Sequence, residues 1–466
     1  MSQPLHAVIL AAGLGKRMRS SRAKVLHEIA GRPMIEYVVR AAEQCGAERI
    51  VVVVGHQADQ VRAALGERVI YAYQEQPLGT GHAVLQAEEA VAGAADVLIL
   101  YGDTPLIDAE LLRRLVAGHR ESGAAATLLT AELADPTGYG RIVRDADGAI
   151  ARIVEQADAS AEELAIREVN TGIACFRRDE LFTALRAVRP DNAQGEYYLV
   201  DAVRVLRDMG RPVHSIQTDD EEAVFGVNDR IALARAEALL RDRIRRRWML
   251  AGVTLIDPAS TWIDEDVEIG PDTVIYPHTI IEAGSRIGAG CRLGPGAHIV
   301  ASRLGDRVRV WYSVVEESEI GDEVRIGPYS HLRPGCRVAR KVHIGNFAEL
   351  KQAIIQPGTK VNHHSYLGDV EIGAGVNIGA GTVTVNYDGV RKHKTVIEDG
   401  AFIGCNTNLI APVRVGRSAY VAAGSTINQD VPPDALAIAR ERQVNKEGWA
   451  ARWRQRVRGS DSGAVR

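Results

Sequence analysis

Apolar and polar positions follow two different patterns in the two halves of this chain. Up to about residue 228, short unbroken apolar runs such as HAVILAA, RIVVVVG and DVLILYGD alternate with stretches such as MIEYVVRAAEQC, where apolar residues recur three or four positions apart. Unbroken runs are typical of strands buried on both faces, and the spaced ones of amphipathic helices. The first half is therefore predicted to be an α/β domain with a parallel sheet, whose functional residues gather at the carboxyl ends of the strands.

After residue 250 the apolar positions recur every six residues. The first run with this period is Ile263, Ile269, Ile275, Ile281, Ile287, Leu293 and Ile299. The register resumes at Ile320, Ile326, Leu332, Val338, Ile344 and Leu350, again at Val361 and Leu367, then at Ile372 and Ile378, and finally at Ile397, Ile403, Leu409, Val415, Val421 and Ile427. A period of six suits short strands with a corner at each repeat, so it predicts a parallel β-helix. The pattern resembles the left-handed β-helix of hexapeptide acyltransferases. A slip at 311–319 and a polar insertion, NYDGVRKHKT, at 386–395 interrupt it, and the insertion is predicted to be a functional loop.

Between the two patterns, DRIALARAEALLRDRIRRRWML is predicted to form one long helix. The predicted organisation is an N-terminal domain at 1–228, a linker helix at 229–250 and a β-helix domain with its tail at 251–466. The helix carries arginines that suit either an anion-binding patch or, as the favoured interpretation, a solvated helix face. They are Arg241, Arg243, Arg245, Arg246 and Arg247.

Composition narrows the class of protein. The chain has 466 residues, of which 46% are apolar and 25% charged, with a net charge of −4, so neither nucleic acid nor a membrane surface is expected as a main partner. Five scattered cysteines without a CxxC pair argue against a disulfide framework and fit a reducing cytoplasm. We expect no signal peptide and no membrane-spanning helix. The basic tail ending in GSDSGAVR is expected to be loose at its end.

The loop LAAGLGKRM, directly after the first strand, could be half of a dinucleotide fingerprint, a loop for a nucleoside triphosphate or an ordinary strand-to-helix turn. A dinucleotide fingerprint needs a third glycine, where Met18 stands, and an acid ending the second strand, which instead ends VVVVGHQ. A Walker loop needs GxxxxGK[ST], which is absent. A nucleoside triphosphate fits better, because Arg17 and Lys24 supply positive charge and Asp103 ends a strand where a Mg²⁺ ligand is useful.

A family resemblance then becomes specific. LAAGLGKRM, AKVLHEIAGRPMI, QEQPLGTGHAV, LYGDTPLI, PTGYGRIV, VNTGI and GVND occur in the order seen in sugar-1-phosphate nucleotidyltransferases, which have a Rossmann-like α/β fold. Joined to hexapeptide repeats, they resemble the family of bifunctional N-acetylglucosamine-1-phosphate uridylyltransferases/glucosamine-1-phosphate acetyltransferases from about residue 5 to about residue 449. The resemblance implies UTP, acetyl-CoA and the two sugar phosphates as substrates, and Mg²⁺ as cofactor.

The resemblance assigns residues of the N-terminal half to the nucleotide, the sugar and the metal. The nucleotide would contact Leu10, Ala11, Ala12, Gly13, Lys24, Gln74, Gly79 and Thr80. The sugar would contact Tyr101, Gly102, Gly140, Glu155 and Asn170. Asp103 and Asn228 would bind Mg²⁺, and Arg17 would face the triphosphate. The sequence departs from the family's pattern at two positions, Ala23 where the family usually has Pro and Lys16 where Thr is common, and we expect both departures to leave the activity intact.

The polar segment between residues 333 and 395 is the candidate for acetyl transfer. This reaction needs a base near neutral pH and cations for a phosphorylated sugar. Sequence reasoning leaves His363 and His364 as rival bases, with Glu349 as a group that could orient the base. Arg333, Lys351 and Lys392 suit the phosphate. The resemblance picks His363, which stands three residues before the tyrosine of YLGD.

The resemblance also assigns the remaining C-terminal residues. The amino-sugar and acetyl-transfer site would include Tyr366, Asn377, Asn386 and Tyr387. Acetyl-CoA would contact Ala380, Cys405, Ala423 and Arg440, with Lys446 as a weaker candidate. Serine is frequent at the family position of Cys405, so we expect alkylation of this thiol to block acetyl-CoA binding.

Three hypotheses follow from the sequence. The first is a two-site enzyme that makes UDP-N-acetylglucosamine, a precursor of cell-envelope polysaccharides, and that forms homotrimers by resemblance to other β-helix enzymes. The second is a nucleotidyltransferase with a purely regulatory β-helix, and the third is an assembly subunit without activity. The Glu349 and His363 pair and the polar insertion favour the first over the second, and intact Arg17, Lys24 and Asp103 argue against the third.

Overall fold

The computed structural model describes residues 3–192 and 194–461 and divides into two compact units. The first unit comprises Met1–Arg247 and Ile263–Glu265, and the second Trp248–Trp262 and Asp266–Arg466. The strands before residue 251 are β1 (Leu5–Leu10), β2 (Glu28–Ile29), β3 (Arg32–Pro33), β4 (Arg49–Val54), β5 (Ile70–Tyr73), β6 (Asp96–Tyr101), β7 (Ala126–Glu132), β8 (Gly140–Arg144), β9 (Ile150–Val154), β10 (Glu168–Arg177) and β11 (Val213–Thr218). The helices are α1 (Met34–Cys45), α2 (Ala58–Leu65), α3 (Thr80–Leu85), α4 (Ala109–Ser122), α5 (Ala161–Leu164), α6 (Arg178–Ala187), α7 (Leu199–Asp208) and α8 (Arg230–Leu250).

The central sheet of the first unit has the strand order β11-β7-β10-β6-β1-β4-β5. β1 runs parallel to β4 and β6, but β10 runs antiparallel to β6 and β7, so the prediction of a parallel sheet is wrong for this strand. The reason is the connection: the pair β8 and β9, rather than a crossover helix, leads from β7 to β10. Leu10 pairs with Tyr101 at the carboxyl ends of β1 and β6, which brings the glycine loop beside Asp103.

Two apolar cores cover the two faces of this sheet. Val52, Leu98 and Leu100 belong to one core, and Val8, Val51 and Ile99 to the other; all six side chains are fully buried. Unbroken apolar strands can be buried on both faces only when helices cover both, as predicted. The loops at the carboxyl edge of the sheet are therefore held by a rigid scaffold.

The second unit is a parallel β-helix with one helix after it. Its strands are β12 (Thr254–Leu255), β13 (Trp262–Ile263), β14 (Glu268–Ile269), β15 (Val274–Ile275), β16 (Ile280–Ile281), β17 (Arg286–Ile287), β18 (Arg292–Leu293), β19 (His298–Val300), β20 (Arg303–Leu304), β21 (Arg309–Val310), β22 (Val314–Glu316), β23 (Glu319–Ile320), β24 (Arg325–Ile326), β25 (His331–Leu332), β26 (Arg337–Val338), β27 (His343–Ile355), β28 (Lys360–Ile372), β29 (Asn377–Ile378), β30 (Val383–Val385), β31 (Thr395–Ile397), β32 (Phe402–Ile403), β33 (Asn408–Ile410), β34 (Val413–Val415), β35 (Tyr420–Val421), β36 (Thr426–Ile427) and β37 (Leu436–Ala437), and the helix is α9 (Trp449–Asp461).

The six-residue period is confirmed as the repeat of this β-helix. Most of the short strands pair in parallel with the third strand after them, as β14 does with β17, so three faces stack coil upon coil. Every aliphatic residue of the predicted register is buried, from Ile263 to Ile427. Small hydroxyl residues fill the corners: Thr273 donates to the carbonyl of Gly288 at 3.0 Å and accepts from the amide of Cys291 at 3.1 Å. The buried hydroxyl thus satisfies backbone groups of the next coil.

The two interruptions have different structures. At the slip, His298 pairs with Val314 and Arg303 with Glu319, so these coils are shorter than the coil that pairs Glu268 with Arg286. Pairing continues through it, and the slip is only a shortened coil. The insertion instead leaves the prism as a loop between β30 and β31, as predicted.

Four of the five predicted arginines of α8 form ion pairs. Arg241 contacts Glu237 at 2.6 Å and Asp264 at 3.2 Å, and Arg247 contacts Glu265 at 2.7 Å. The expected solvated face is wrong for Arg241 and Arg245, which are buried, whereas Arg246 and Arg247 are exposed as expected. Buried arginines need such partners, because an unpaired buried charge is costly.

Three further expectations concern the whole chain. No helix within residues 3–192 and 194–461 combines the length and apolar character needed to cross a membrane. The five cysteines are all free thiols. The tail is helical as far as Asp461, and residues 462–466 of the segment expected to be loose lie outside the described residues.

Candidate active sites

The glycine loop after β1 closes on Lys24. Gly15 has a φ of +57°, and a Cβ there would lie 2.8 Å from Cβ of Lys24, so both its backbone conformation and its close approach require glycine. A Cβ at Gly13 would meet nothing within 4 Å. Gly13 therefore faces open space, where a ligand can approach the backbone.

Four polar side chains converge at the carboxyl edge of the sheet. Lys24 Nζ donates to a carboxylate oxygen of Asp103 and, at 3.2 Å, to Oδ1 of Asn228. Arg17 Nη2 donates to the same Asn228 oxygen at 2.9 Å. The amide of Val227 donates to the carbonyl of Asp103 at 2.8 Å, which fixes Asn228 beside it. Two cations and two oxygen ligands thus meet at residues far apart in the sequence.

Two adjoining cavities open beside this cluster. The first, of about 480 Å³, is lined by all eight residues predicted for the nucleotide. It is lined by Leu10, Ala11, Ala12, Gly13, Leu14, Lys16, Lys24, Val25, Gln74, Pro77, Gly79, Thr80, Ala83, Tyr101, Asp103 and Glu196. The second, of about 570 Å³, is lined by Thr80, Tyr101, Gly138, Tyr139, Gly140, Glu155, Gln156, Ala157, Asn170, Thr171, Gly172, Gln194, Glu196, Tyr198 and Val200.

The second cavity contains four of the five residues predicted for the sugar. Gly102 lies behind it, because its amide donates to the carbonyl of Leu10 at 3.0 Å and a Cβ there would meet Val25 at 3.1 Å. Burial raises the pKa of Glu155, as do Asp158 and Asp201 to a smaller degree. Burial likewise raises the pKa of the Tyr101 hydroxyl. Both groups thus lie in a part of the pocket that is shielded from solvent, where each is available for hydrogen bonds to a ligand.

Glu196 lines both cavities and was not predicted from the sequence. It precedes α7, far along the chain from either glycine loop, and no motif marks it. It comes to the site because the amide of Gly81 donates to the carbonyl of Tyr197 at 2.8 Å, which fastens this segment to α3. Only tertiary contact identifies it.

The oxygen ligands of the first site fit a hard divalent cation. Within residues 3–192 and 194–461 no group of three His, Cys, Asp or Glu side chains could hold a metal ion. Asp103 and Asn228 instead offer one carboxylate and one amide oxygen around a shared cation, the ammonium of Lys24. Mg²⁺ typically takes one or two such protein ligands together with substrate phosphates. The donor set therefore suits a metal that arrives with a triphosphate.

In the second unit, three cationic side chains converge beside β27 and the loop. Arg333 lies in register above Lys351, because His331 pairs with Glu349. The pKa of Lys351 is lowered by the adjacent Lys392 side chain, by burial and by Arg333. Cationic side chains gathered in this way suit a group with two negative charges, such as a phosphate.

Tyr366 and Asn386 meet above Gly368. A Cβ at Gly368 would lie 2.6 Å from the Tyr366 hydroxyl and 2.7 Å from the Asn386 amide nitrogen, so the space exists only because this residue is glycine. The Asn386 amide donates to Asp369 at 2.5 Å. These groups form a polar floor next to the three cations.

The two histidines differ in their backbone positions. His363 lies within β28, paired with Asn346, whereas His364 has a φ of +20° and occupies a corner. Glu349 forms an ion pair with Arg333 at 3.0 Å instead of contacting His363 as expected. This happens because Glu349 lies on a different face of the prism, in register with Tyr366.

The loop of the insertion is ordered by Asp388. Its carboxylate accepts from the amides of Val390 and Arg391 at 2.7 and 2.6 Å and contacts His393 Nε2 at 2.7 Å. The amide of Arg391 contributes most to lowering the pKa of Asp388. Tyr387 pairs with Lys392 across the loop, which returns Lys392 toward Lys351.

The residues predicted for acetyl-CoA lie at stacked positions of successive coils. Asn377 pairs with Phe402 and Phe402 with Tyr420, so Ala380, Cys405 and Ala423 occupy equivalent positions. A Cβ at Gly424 would lie 3.8 Å from Arg440 Cδ, which places Arg440 at the end of the column. The thiol of Cys405 is exposed. Lys446, which follows the column in the sequence, is also exposed.

Each of the two units matches a known protein family. Residues 7–205 match the MobA-like NTP transferase domain, and residues 260–295, 317–352 and 394–429 match the bacterial transferase hexapeptide model of six repeats. The first unit is thus a Rossmann-like NTP transferase domain, and the second is a left-handed β-helix of hexapeptide repeats.

Relatives match almost the whole chain. The bifunctional protein GlmU of Halalkalibacterium halodurans is 53% identical over 96% of this chain and 98% of its own length. That of Brevibacillus brevis is 54% identical over 96% and 97%, and that of Acetivibrio thermocellus 50% identical over 96% and 97%. Such similarity over both units means that their combination, and not only each fold, is shared.

Proposed function

This chain belongs to the GlmU family of bifunctional proteins, and on that premise we propose which residues carry out its two reactions. It is a bifunctional transferase of UDP-N-acetylglucosamine synthesis, with uridylyltransferase and acetyltransferase activities that serve cell-wall biogenesis. The observation that carries the assignment is the convergence of Arg17, Lys24, Asp103 and Asn228 beside two adjoining cavities.

In uridylyl transfer, a phosphate oxygen of N-acetylglucosamine-1-phosphate attacks the α-phosphorus of UTP. The bond from that phosphorus to the bridging oxygen breaks, and pyrophosphate leaves. The nucleophile is already an anion, so no base is required, and catalysis rests on alignment and charge neutralisation. Lys24 and Arg17 neutralise the phosphates. The nucleotide occupies the cavity of Gly13 and the sugar that of Glu155.

The family is metal-dependent, and we assign Mg²⁺ to Asp103 and Asn228. When bound, this ion supplies positive charge to the phosphate oxygens. In the structure the Lys24 ammonium takes both oxygens. Lys24 therefore exchanges its protein partners for phosphate oxygens when the nucleotide binds, and the two oxygens become free for the metal.

In acetyl transfer, the amine of glucosamine-1-phosphate attacks the thioester carbonyl of acetyl-CoA. We assign His363 as the base that accepts the amine proton; the carbon–sulfur bond then breaks and the proton goes to the leaving thiolate. Arg333, Lys351 and Lys392 hold the sugar phosphate, while Tyr366, Asn377, Asn386 and Tyr387 position the sugar. Acetyl-CoA lies along the column of Ala380, Cys405 and Ala423, extended by Arg440 and Lys446.

Two further assignments concern the assembly and its place in the cell. We propose that the chain forms a homotrimer, as the hexapeptide repeats suggest. Sedimentation analysis should then give three times the mass of one chain. A monomer with full acetyltransferase activity would contradict this assignment. We also propose a cytoplasmic location, which agrees with five free thiols.

Two assays on the purified chain test the proposed function. UTP, N-acetylglucosamine-1-phosphate and Mg²⁺ should release pyrophosphate, and acetyl-CoA with glucosamine-1-phosphate should release a free thiol. A chelator should stop the first reaction and leave the second unchanged. Activity in the first assay alone would favour a nucleotidyltransferase whose β-helix has no catalytic role. Inactivity in both assays would favour an assembly subunit.

A further inference from the structure

One face of the β-helix carries an uninterrupted row of basic side chains. Arg292 pairs with Arg309, Arg309 with Arg325, Arg325 with His343, and His343 with Lys360. These five residues, the basic ladder, occupy the same position in successive coils. Neighbouring parallel strands lie about 4.8 Å apart, so like charges are stacked directly on one another, which destabilises a sheet.

Nothing in the described chain neutralises the ladder. Arg292, Arg309, Arg325 and Lys360 are exposed and form no side-chain hydrogen bond or ion pair with residues 3–192 or 194–461. A groove of about 440 Å³ runs along the ladder, lined by Arg307, Arg309, Glu323, Arg325, Lys341, Val342, His343 and Lys360. Among these lining residues, Glu323 is the one carboxylate, and Arg307 and Lys341 already contact it at 3.6 and 4.0 Å.

A second face of the same prism provides a contrast. There the stacked residues carry both signs of charge: Glu268 pairs with Arg286, Arg286 with Arg303, and Glu319 lies between Arg303 and Arg337. Ion pairs form along it, at 3.5 Å between Arg286 and Glu268 and at 3.8 Å between Arg337 and Glu319. The β-helix fold itself therefore does not require stacked side chains to carry charges of one sign.

The ladder leads to the acetyl-transfer site. Lys360 pairs with Asn377, one of the residues assigned to the amino sugar. His343 lies within electrostatic range of His363: burial chiefly lowers the pKa of His343, and Arg325, His363 and Lys360 lower it further. The member of the ladder at His343 thus lies close enough to the assigned base, His363, for their charges to interact.

We propose that the basic ladder attracts the phosphorylated amino sugar and guides it to the acetyl-transfer site. This inference rests on the proposed acetyltransferase activity. The substrate carries a phosphate dianion, and a row of like charges beside a site raises the rate at which such a ligand arrives, in a manner that salt suppresses. The first residue that follows the ladder in register is Asn377, which is assigned to the amino sugar, and this is why the sugar is the named ligand.

The test replaces Arg292, Arg309 and Arg325 together by glutamine. None of them belongs to the assigned catalytic or binding residues. At low ionic strength, kcat/KM for glucosamine-1-phosphate should fall about threefold to tenfold, with kcat unchanged, and its dependence on salt should flatten. The matched control replaces Arg286, Arg303 and Arg337, which removes the same charge from the second face and should change kcat/KM little. Uridylyl transfer should be unchanged in both variants.

Several results would overturn the proposal. One is that kcat/KM for glucosamine-1-phosphate and its salt dependence are unchanged in the ladder variant, or that kcat/KM falls equally in the control variant. Another is that only kcat/KM for acetyl-CoA falls. A third is a changed oligomeric mass, which would assign the ladder to a contact between copies of the chain. Loss of uridylyl transfer together with acetyl transfer would do the same, because it would show that the ladder stabilises the fold instead of guiding a substrate. If the unmodified chain fails to acetylate, the proposed function itself fails, which separates the two outcomes.

Discussion

The two candidate sites differ in how their charges are balanced. In the first unit the cations already have partners: Lys24 and Arg17 bind the oxygens of Asp103 and Asn228. In the second unit Arg333 is paired with Glu349 at 3.0 Å, but Lys351 and Lys392 lie against each other, and the pKa of Lys351 falls because of Lys392, burial and Arg333. A self-paired site must exchange partners when its substrate binds, whereas two lysines that repel each other are stabilised by the phosphate that they receive. The difference teaches that the two reactions depend on separate residues.

The largest expected effect comes from Asp103→Asn. Uridylyl transfer should fall at least about a thousandfold, because the variant removes a negative ligand from the assigned metal and a partner from Lys24. Acetyl transfer should be unchanged and serves as the internal control for folding. The two assays of pyrophosphate and thiol release measure this directly, and an equal loss of both activities in a folded variant would contradict the separation.

Gly368→Ala should break the opposite site. The added Cβ would lie 2.6 Å from the Tyr366 hydroxyl and 2.7 Å from the Asn386 amide, so both must move. Displacing positioning groups by about 1 Å costs about a hundredfold in rate, so kcat/KM of acetyl transfer should fall by about that factor while pyrophosphate release is retained.

The control for Gly368→Ala is Gly358→Ala in the same unit. Gly358 has a φ of +73° and open space within 4 Å, so the substitution adds backbone strain but no contact in the site. Acetyl transfer should survive in the control. Wild-type acetyl transfer by Gly368→Ala would mean that Tyr366 and Asn386 do not position the sugar.

Alkylation of Cys405 should raise the KM for acetyl-CoA about tenfold or more, because a bulky adduct would obstruct the column of Ala380 and Ala423. Cys405 is exposed, whereas burial raises the pKa of the Cys175, Cys291 and Cys336 thiols, which keeps them protonated and less reactive. Cys405→Ser should resist the reagent, and acetyl-CoA should protect the wild type. Equal inhibition of both chains would remove Cys405 from the site.

The smallest effect concerns the pH dependence of sugar binding. Because the pKa of Lys351 is lowered, its ammonium loses its proton at a lower pH than an ordinary lysine, and KM for glucosamine-1-phosphate should rise as pH increases through that pKa. Lys392→Met removes the main cause, so this rise should move to higher pH. At neutral pH the same variant loses one phosphate contact, and KM should increase up to about fivefold.

Lys394→Met is the matched control for Lys392→Met. Lys394 lies in the same loop but forms an ion pair with Glu371, away from Lys351. Its substitution should leave the pH profile of KM where the wild type has it. A profile that shifts equally in both variants would show that loop charge in general, and not contact between Lys392 and Lys351, controls the site.

The sequence predicted the β-helix more completely than the α/β sheet. A period of six repeated over so many coils allows one arrangement, and every predicted aliphatic residue from Ile263 to Ile427 is buried. The sheet was predicted from apolar runs that carry no direction, so the antiparallel course of β10 was missed. Likewise, the resemblance pointed to residues of both sites, but not to Glu196, which reaches the cavities through the contact of Tyr197 with Gly81.

By itself the sequence determined the two folds, the loop of the insertion and the residue types that each reaction needs, because these follow from local periodicity and composition. Only the tertiary structure decided which of those residues meet. Lys24, Asp103 and Asn228 converge because parallel strands end at one edge of the sheet, and Glu349 contacts Arg333 because the prism separates it from His363. The basic ladder also exists only in three dimensions, since its members are a full coil apart in the chain and become neighbours when the coils stack.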